Sequence, residues 1–182
     1  MAGNVKPIPD GFCGATPYLI CKGAAKAIEF YQRAFGATEI CRMEGRGGTI
    51  GHAEIRIGEA ILMLADEFPE MGAQSPQTLG GSPVSIYIYV EDVDAFAHRA
   101  IEAGAKVLRP VADQFYGDRS VFLEDPFGHK WGFATHIEDV SPEEMKRRVL
   151  DLARARLDYA AIRIAFGPGG FEYVPVPGRQ AP

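Results

Sequence analysis

One internal repeat constrains this chain more than any other feature. From Thr16 the apolar patterning runs strand, helix, strand, strand, strand, and from Val84 the same order begins again. Thr16–Cys21 is strand-like, with Pro17 marking an edge position or a strand start. Ala24–Phe35 places Ile28, Tyr31 and Phe35 on one helical face, spaces Glu29 and Arg33 for an i,i+4 pair, and stops at Gly36. Strands follow over about 37–44, 49–57 and 60–65, the last two joined across Gly58-Glu59. In the second half Val84–Val90 is a strand and Asp92–Ala103 a helix ended by Gly104. Strands follow near 106–111, 118–124 and 129–135. An offset of 69 lays Thr16 on Ser85, Tyr18 on Tyr87 and Met63 on Gly132, while the helix ends match at 68. An α+β protein of two tandem β-α-β-β-β modules, at 16–65 and 84–137, is expected. Residues 1–15 read as a loose arm. Residues 66–83, with three Pro and three Gly, read as a linker or lid loop.

Composition narrows the function classes. At 182 residues with 47% apolar content the chain can bury a core of this kind. A net charge of −5 argues against a partner held by phosphate neutralisation, so no nucleic acid is expected. Three unclustered cysteines, Cys13, Cys21 and Cys41, suit a reducing compartment and offer no Cys-x-x-Cys zinc pair. With no His beside them in sequence they read as structural. Met1–Gly11 lacks an apolar signal core and no apolar run reaches membrane-spanning length. A cytoplasmic protein without a membrane partner is the expectation.

Period-two alternation sorts the sheet faces. Ala53, Ile55 and Ile57, with Ile86, Ile88 and Val90, should pack under the helices, as should Trp131 and Phe133. The opposite faces carry His52, Glu54 and Arg56, then Tyr18, Tyr87 and Tyr89. The repeat adds Arg119, Val121 and Leu123 to them. Such an aromatic face with a few polar anchors is the make-up of a small-molecule pocket. Tyr18, Tyr87, Tyr89, Tyr116 and Arg119 are the candidate ligand contacts, the last two lying in a segment, Phe115–Arg119, that reads equally as a lid or as a packed loop. His52 and Glu54, two residues apart on one strand face, have three readings: a solvated face, a proton-transfer pair, or two ligands of a metal. His129, at a turn, reads as a backbone-capping or surface residue.

Asp125-Pro126-Phe127-Gly128, between two apolar runs, is a tight-turn sequence: Pro presets φ and Gly closes the turn. With Ala27-Ile28-Glu29-Phe30-Tyr31, Ala34-Phe35-Gly36-Ala37 and Tyr89-Val90-Glu91-Asp92-Val93-Asp94, it resembles the vicinal oxygen chelate superfamily. These are the glyoxalase, bleomycin-resistance and extradiol-dioxygenase proteins, and the likeness is greatest to the PhnB-like, demethylubiquinone-methyltransferase-like branch. It covers about residues 14–137 and implies two modules curling their sheets into a cup. It also implies a divalent ion held by His or Glu from the first and last strand of each module. Those places fall on Thr16, Met63, Ser85 and Gly132, none of which offers imidazole or carboxylate. No cofactor is therefore expected at the family positions, and any divalent metal would sit elsewhere.

Ser141-Pro142-Glu143-Glu144 opens a helix expected to run over 138–166, ahead of an extended Pro-rich tail at 167–182. Two function classes remain open. One is a metal-free binding protein of the bleomycin-resistance type, holding a planar or aromatic small molecule in a tyrosine-lined cup. The other is a glyoxalase-type isomerase or lyase using His52 and Glu54 for proton transfer. Unpaired sheet edges and an extra amphipathic helix point to a homodimer in either case.

Overall fold

A computed structural model describes residues 5–12 and 14–155, without the side chains of 153–155. Cys13, the end of the expected C-terminal helix and the tail lie outside the described residues. The first module runs β1 (Tyr18–Cys21), α1 (Ala24–Phe35), β2 (Thr38–Glu44), β3 (Ile50–Ile57) and β4 (Ala60–Asp66). After a short helix α2 (Pro76–Leu79), the second runs β5 (Ser85–Tyr89), α3 (Val93–Glu102), β6 (Lys106–Asp113), β7 (Asp118–Glu124) and β8 (Lys130–His136). The chain continues into α4 (Pro142–Ala155). Among the described residues no helix is long and apolar enough to cross a membrane.

The two sheets have the same topology, β1-β4-β3-β2 and β5-β8-β7-β6. The repeat holds in the hydrogen-bond register: Tyr18 lies opposite Met63 in the parallel pair of the first sheet, and Tyr87 opposite Gly132 in that of the second. It holds again at the helix starts. Gly23 cannot cap α1 with a side chain, so Asp66, at the end of β4, accepts from the Gly23 and Ala24 amides at 2.9 and 2.7 Å. Thr135, which the repeat lays on Asp66, accepts from the Val93 amide at 2.9 Å at the start of α3.

Two compact units emerge. One comprises the chain to Ala112 with Arg119–Thr135, and so holds nearly all of both modules; the other comprises Asp113–Asp118 with the chain from His136. In the first, α1 packs on the second sheet as well as its own. Phe35 has ring centroids at 4.9 Å from both Trp131 and Phe133, and stacks on Phe96 of α3 at 5.7 Å. Burying these rings against one another supplies apolar area together with edge and offset contacts. Asp125 lies under them. Its carboxylate accepts from Tyr31 Oη at 2.7 Å, and from Trp131 Nε1 and the Phe127 and His129 amides, each at 2.9 Å. A single buried carboxylate thus ties α1 to the β7–β8 turn.

The expected linker or lid is pinned. Ser75 is fully buried and its amide donates to Glu67 at 2.6 Å, where hydrogen bonds from this segment hold the Glu67 carboxyl at about 2. Gln77 Nε2 donates to the Pro126 carbonyl at 2.8 Å. The segment is thus tied to the β7–β8 turn.

In the second unit, Gly117 sits at φ +95° with its carbonyl accepting from the Ile137 and Glu138 amides. Arg148 of α4 forms a two-point ion pair with Glu138, at 2.6 and 2.8 Å, and also reaches Glu144 and the Phe115 carbonyl. The Ser141 hydroxyl caps the Glu144 amide at 3.2 Å. The expected capping box is only half made, because the Glu144 carboxylate turns to Arg147 and Arg148 instead. His136 lies between Asp118 (2.8 Å) and Asp139 (3.0 Å), which raise its pKa above the ordinary histidine range. Its contribution to stability is fully present below an unfolded value of about 6.5 and is lost as pH rises through the higher folded value. A proton NMR titration should show His136 as a late-titrating imidazole, with Asp118→Asn moving its midpoint down. An unmoved midpoint would contradict the ion-pair assignment.

Candidate functional site: the open sheet faces

Each sheet buries one face under the helices; the other, the open face, is partly exposed, although Ile61 and Ala65 on it are buried and Gly11 lies against Ile61. On β3, Ala53, Ile55 and Ile57 are buried, so His52, Glu54 and Arg56 occupy the open side, as alternation predicts. On β4, Leu62 and Leu64 are in the core and Met63 is opposite them. Tyr18 reaches over Met63: its hydroxyl lies 2.9 Å from His52 Nδ1, and His52 Nε2 lies 3.4 Å from a Glu54 carboxylate oxygen. Phenol, imidazole and carboxylate therefore form a chain across the first open face, able to hold and move a proton.

Sequence proximity misled in the reading of cysteines. Cys41 is paired across the β2–β3 ladder with Glu54, and its sulfur, His52 and Glu54 offer ligand atoms all within 4.8 Å of one another. Cys21 also meets a histidine, His129, at 3.7 Å. There, however, burial pushes the thiol up and the imidazole down, and His129 Nε2 is also 3.2 Å from the Ile20 carbonyl. Cys21 is a core thiol, and His129 is a buried residue beside it rather than a surface one.

On the second open face, Tyr87 has ring centroids 5.6 Å from Tyr89 and 5.8 Å from Phe122, and the Arg109 guanidinium lies over Phe122 at 4.1 Å. Tyr87 is 39% exposed and Tyr89 60%. Arg119 is not there. The expected phase of β7 is corrected by one residue: Val121 and Leu123 are in the core and Phe122 is on the open face. Arg119 consequently shares the helix side and forms a two-point ion pair with Asp94 in the first turn of α3, at 2.6 and 2.7 Å. Tyr116 belongs to the second unit, its ring 5.2 Å from Phe115.

The positions at which the resemblance implies a metal do not fit one. Thr16 and Ser85 carry hydroxyls, Met63 a thioether and Gly132 nothing, whereas a borderline divalent ion wants imidazole, carboxylate or thiolate. At Gly132 the misfit is also steric: a Cβ there would lie 2.3 Å from the Tyr87 ring. The ring fills the space in which a carboxylate would project. Thr16 and Tyr87 border a cavity of about 220 Å³ where the start of β1 approaches β5, with Pro17 and Ile61 also lining it.

Two mixed sheets of identical β-α-β-β-β topology, with open faces carrying the polar and aromatic side chains, define the class. Residues 15–133 match the profile of the Glyoxalase/Bleomycin resistance protein/Dioxygenase superfamily, and the chain belongs to that superfamily. It is 42% identical over 149 residues to an uncharacterized protein of Mycobacterium tuberculosis, covering 80% of this chain and 84% of that one. Among solved structures, TioX from Micromonospora sp. ML1 is similar at 27% identity and a TM-score of 0.55, over 68% of this chain and 100% of that one. A putative 3-demethylubiquinone-9 3-methyltransferase, PhnB protein, from Bacillus cereus shares the fold at 19% identity. Its TM-score is 0.53, over 68% of this chain and 99% of that one.

Proposed function

We propose that this chain is a binding protein of the bleomycin-resistance kind, taking a planar aromatic small molecule against Tyr87, Tyr89 and Phe122. The observation that carries the reading is the partly exposed cluster of mutually inclined rings on the second open face, with Arg109 beside it. Gly132 supports it, since the missing side chain lets the Tyr87 ring lie down on the strand. Lewis-acid polarisation at the family positions forms no part of this function, because their side chains offer no suitable ligands.

A cavity of about 220 Å³ is smaller than the roughly 300–1,000 Å³ that encloses a drug-sized ligand. Enclosure therefore comes from a second copy laid over the open faces, making the active species a homodimer. Light scattering at the monomer mass would contradict this part of the proposal. For the ligand, calorimetric titration with planar quinones and aromatic antibiotics tests the wild type beside a Tyr87→Ala/Tyr89→Ala variant. Two stacked rings at about 0.5–1.5 kcal/mol each give an expected loss of roughly 5- to 150-fold in affinity. Equal affinity of variant and wild type would refute the aromatic face as the site.

A second reading rests on the Tyr18–His52–Glu54 chain, which suits proton transfer in an isomerase or lyase of glyoxalase type. It predicts turnover that His52→Ala abolishes. Ligand binding unaffected by His52→Ala, with no turnover, favours the binding protein.

A further inference from the structure

We infer that Cys41, His52 and Glu54 form a site for a thiophilic divalent cation of the zinc class, with Tyr18 orienting His52. The site is separate from the family positions and from the aromatic face. Its first support is the way β2 delivers Cys41. The ladder pairs Glu39 with Ile55, and an unbroken antiparallel register would then pair Cys41 with Ala53, on the helix side. A one-residue irregularity between Glu39 and Cys41 shifts the pairing so that Cys41 faces Glu54 instead. The thiol is thereby brought to the open face beside His52, the kind of re-aiming that bulges provide at functional sites.

Distances and ligand chemistry agree. With Zn–N and Zn–O bonds of about 2.0–2.2 Å and Zn–S of about 2.3 Å, a tetrahedral ion spaces its ligand atoms by roughly 3.4–3.6 Å. His52 Nε2 and the Glu54 oxygen are already 3.4 Å apart. All three ligand atoms lie within 4.8 Å, so closing the set takes about 1 Å of movement, within reach of the exposed Cys41 side chain. Tyr18 supplies the outer contact that metal-bound histidines need. When Nδ1–H donates to the phenol oxygen at 2.9 Å, the Nε2 lone pair is left facing Cys41 and Glu54. Thiolate with imidazole selects zinc-class ions over calcium or magnesium. Binding releases the Cys41 thiol proton to solvent, and thiolate plus carboxylate balance the dication. Three protein ligands leave a fourth position for water or a ligand heteroatom.

The test titrates the full-length chain, reduced and stripped with chelator, with cobalt(II) and then zinc(II). One equivalent of cobalt should raise a thiolate-to-metal charge-transfer absorption, and zinc should displace it. Cys41→Ser should lose the absorption entirely and His52→Ala should lose stoichiometric binding. Tyr18→Phe should keep the stoichiometry with affinity down by about tenfold or more. His98→Ala, on the exposed surface of α3, controls for stray imidazole binding and should change nothing. No charge-transfer absorption in the wild type, or one that survives Cys41→Ser, would overturn the inference. These readouts need no organic ligand, so they stand or fall apart from the aromatic binding proposed above.

Discussion

Replacing Asp125 with Ala should lower the stability of the chain by about 3–5 kcal/mol, the scale for removing one partner from a buried charged network. The carboxylate is 4% exposed and accepts four hydrogen bonds, two from side chains of α1 and β8 and two from the turn that it closes. Its loss strands the Tyr31 hydroxyl and the Trp131 indole N–H in the core, where neither finds water. Asp125→Asn should recover little, because one arm becomes an amide NH2, which accepts from neither of the two donors it faces. Denaturant midpoints of both variants check this, with Trp131 fluorescence as the probe. A shift below about 1 kcal/mol for Asp125→Ala would show that the seam between the modules does not depend on the carboxylate.

Gly117→Ala should be nearly as damaging, by about 3–4 kcal/mol, and locally. A Cβ at this position would fall 2.0 Å from the Glu138 carbonyl oxygen, and the backbone lies at φ +95°, where an L side chain is strained. To relieve the clash the loop must move away from Glu138. It then gives up the two hydrogen bonds from Ile137 and Glu138 to the Gly117 carbonyl, worth about 1 kcal/mol each. Faster amide exchange at Ile137 and Glu138 should report the loss, with the Ala53 and Leu64 amides of the first sheet unaffected. Unchanged exchange at Ile137 would contradict the packing described.

The fold was largely legible in the sequence because duplication tests itself. Tyr18 over Met63 and Tyr87 over Gly132 are the same strand pairing, and the repeat also relates Asp66 to Thr135, two different residues performing one helix-capping task. The error in β7 has a traceable origin. The offset is 69 through most of the helices and 68 at their ends, Gly36 and Gly104. It stays at 68 through β7, so that Ala53 corresponds to Val121 and Ile55 to Leu123, and returns to 69 in β8 after the longer Asp125–His129 turn. Carrying 69 through β7 turned every side chain of that strand over. The run Val121-Phe122-Leu123 could not correct this, because alternation says nothing within a continuously apolar stretch. The helix ends held the missing signal.

Part of the site was hidden for a different reason. His52-x-Glu54 shows in the sequence because two residues of a strand share a face. Cys41 joins them only through a cross-strand pairing altered by a bulge, and the one-residue shift decides which face its sulfur takes. Arg119 was a candidate ligand contact and is engaged instead at the start of α3, where its hydrogen bond lowers the Asp94 pKa. Aromatic content was readable from Tyr87 and Tyr89. The third ring, Phe122, and the guanidinium stacked on it came only with the corrected phase.

The most direct test of the aromatic binding face is a ligand titration followed by NMR, with tyrosine and phenylalanine rings isotopically labelled. Stacking of a planar quinone or aromatic antibiotic should move the ring signals of Tyr87, Tyr89 and Phe122 together and saturably, while the core rings of Phe35 and Phe133 stay in place. Saturable shifts confined to other rings, or none across the panel at millimolar ligand, would contradict the account.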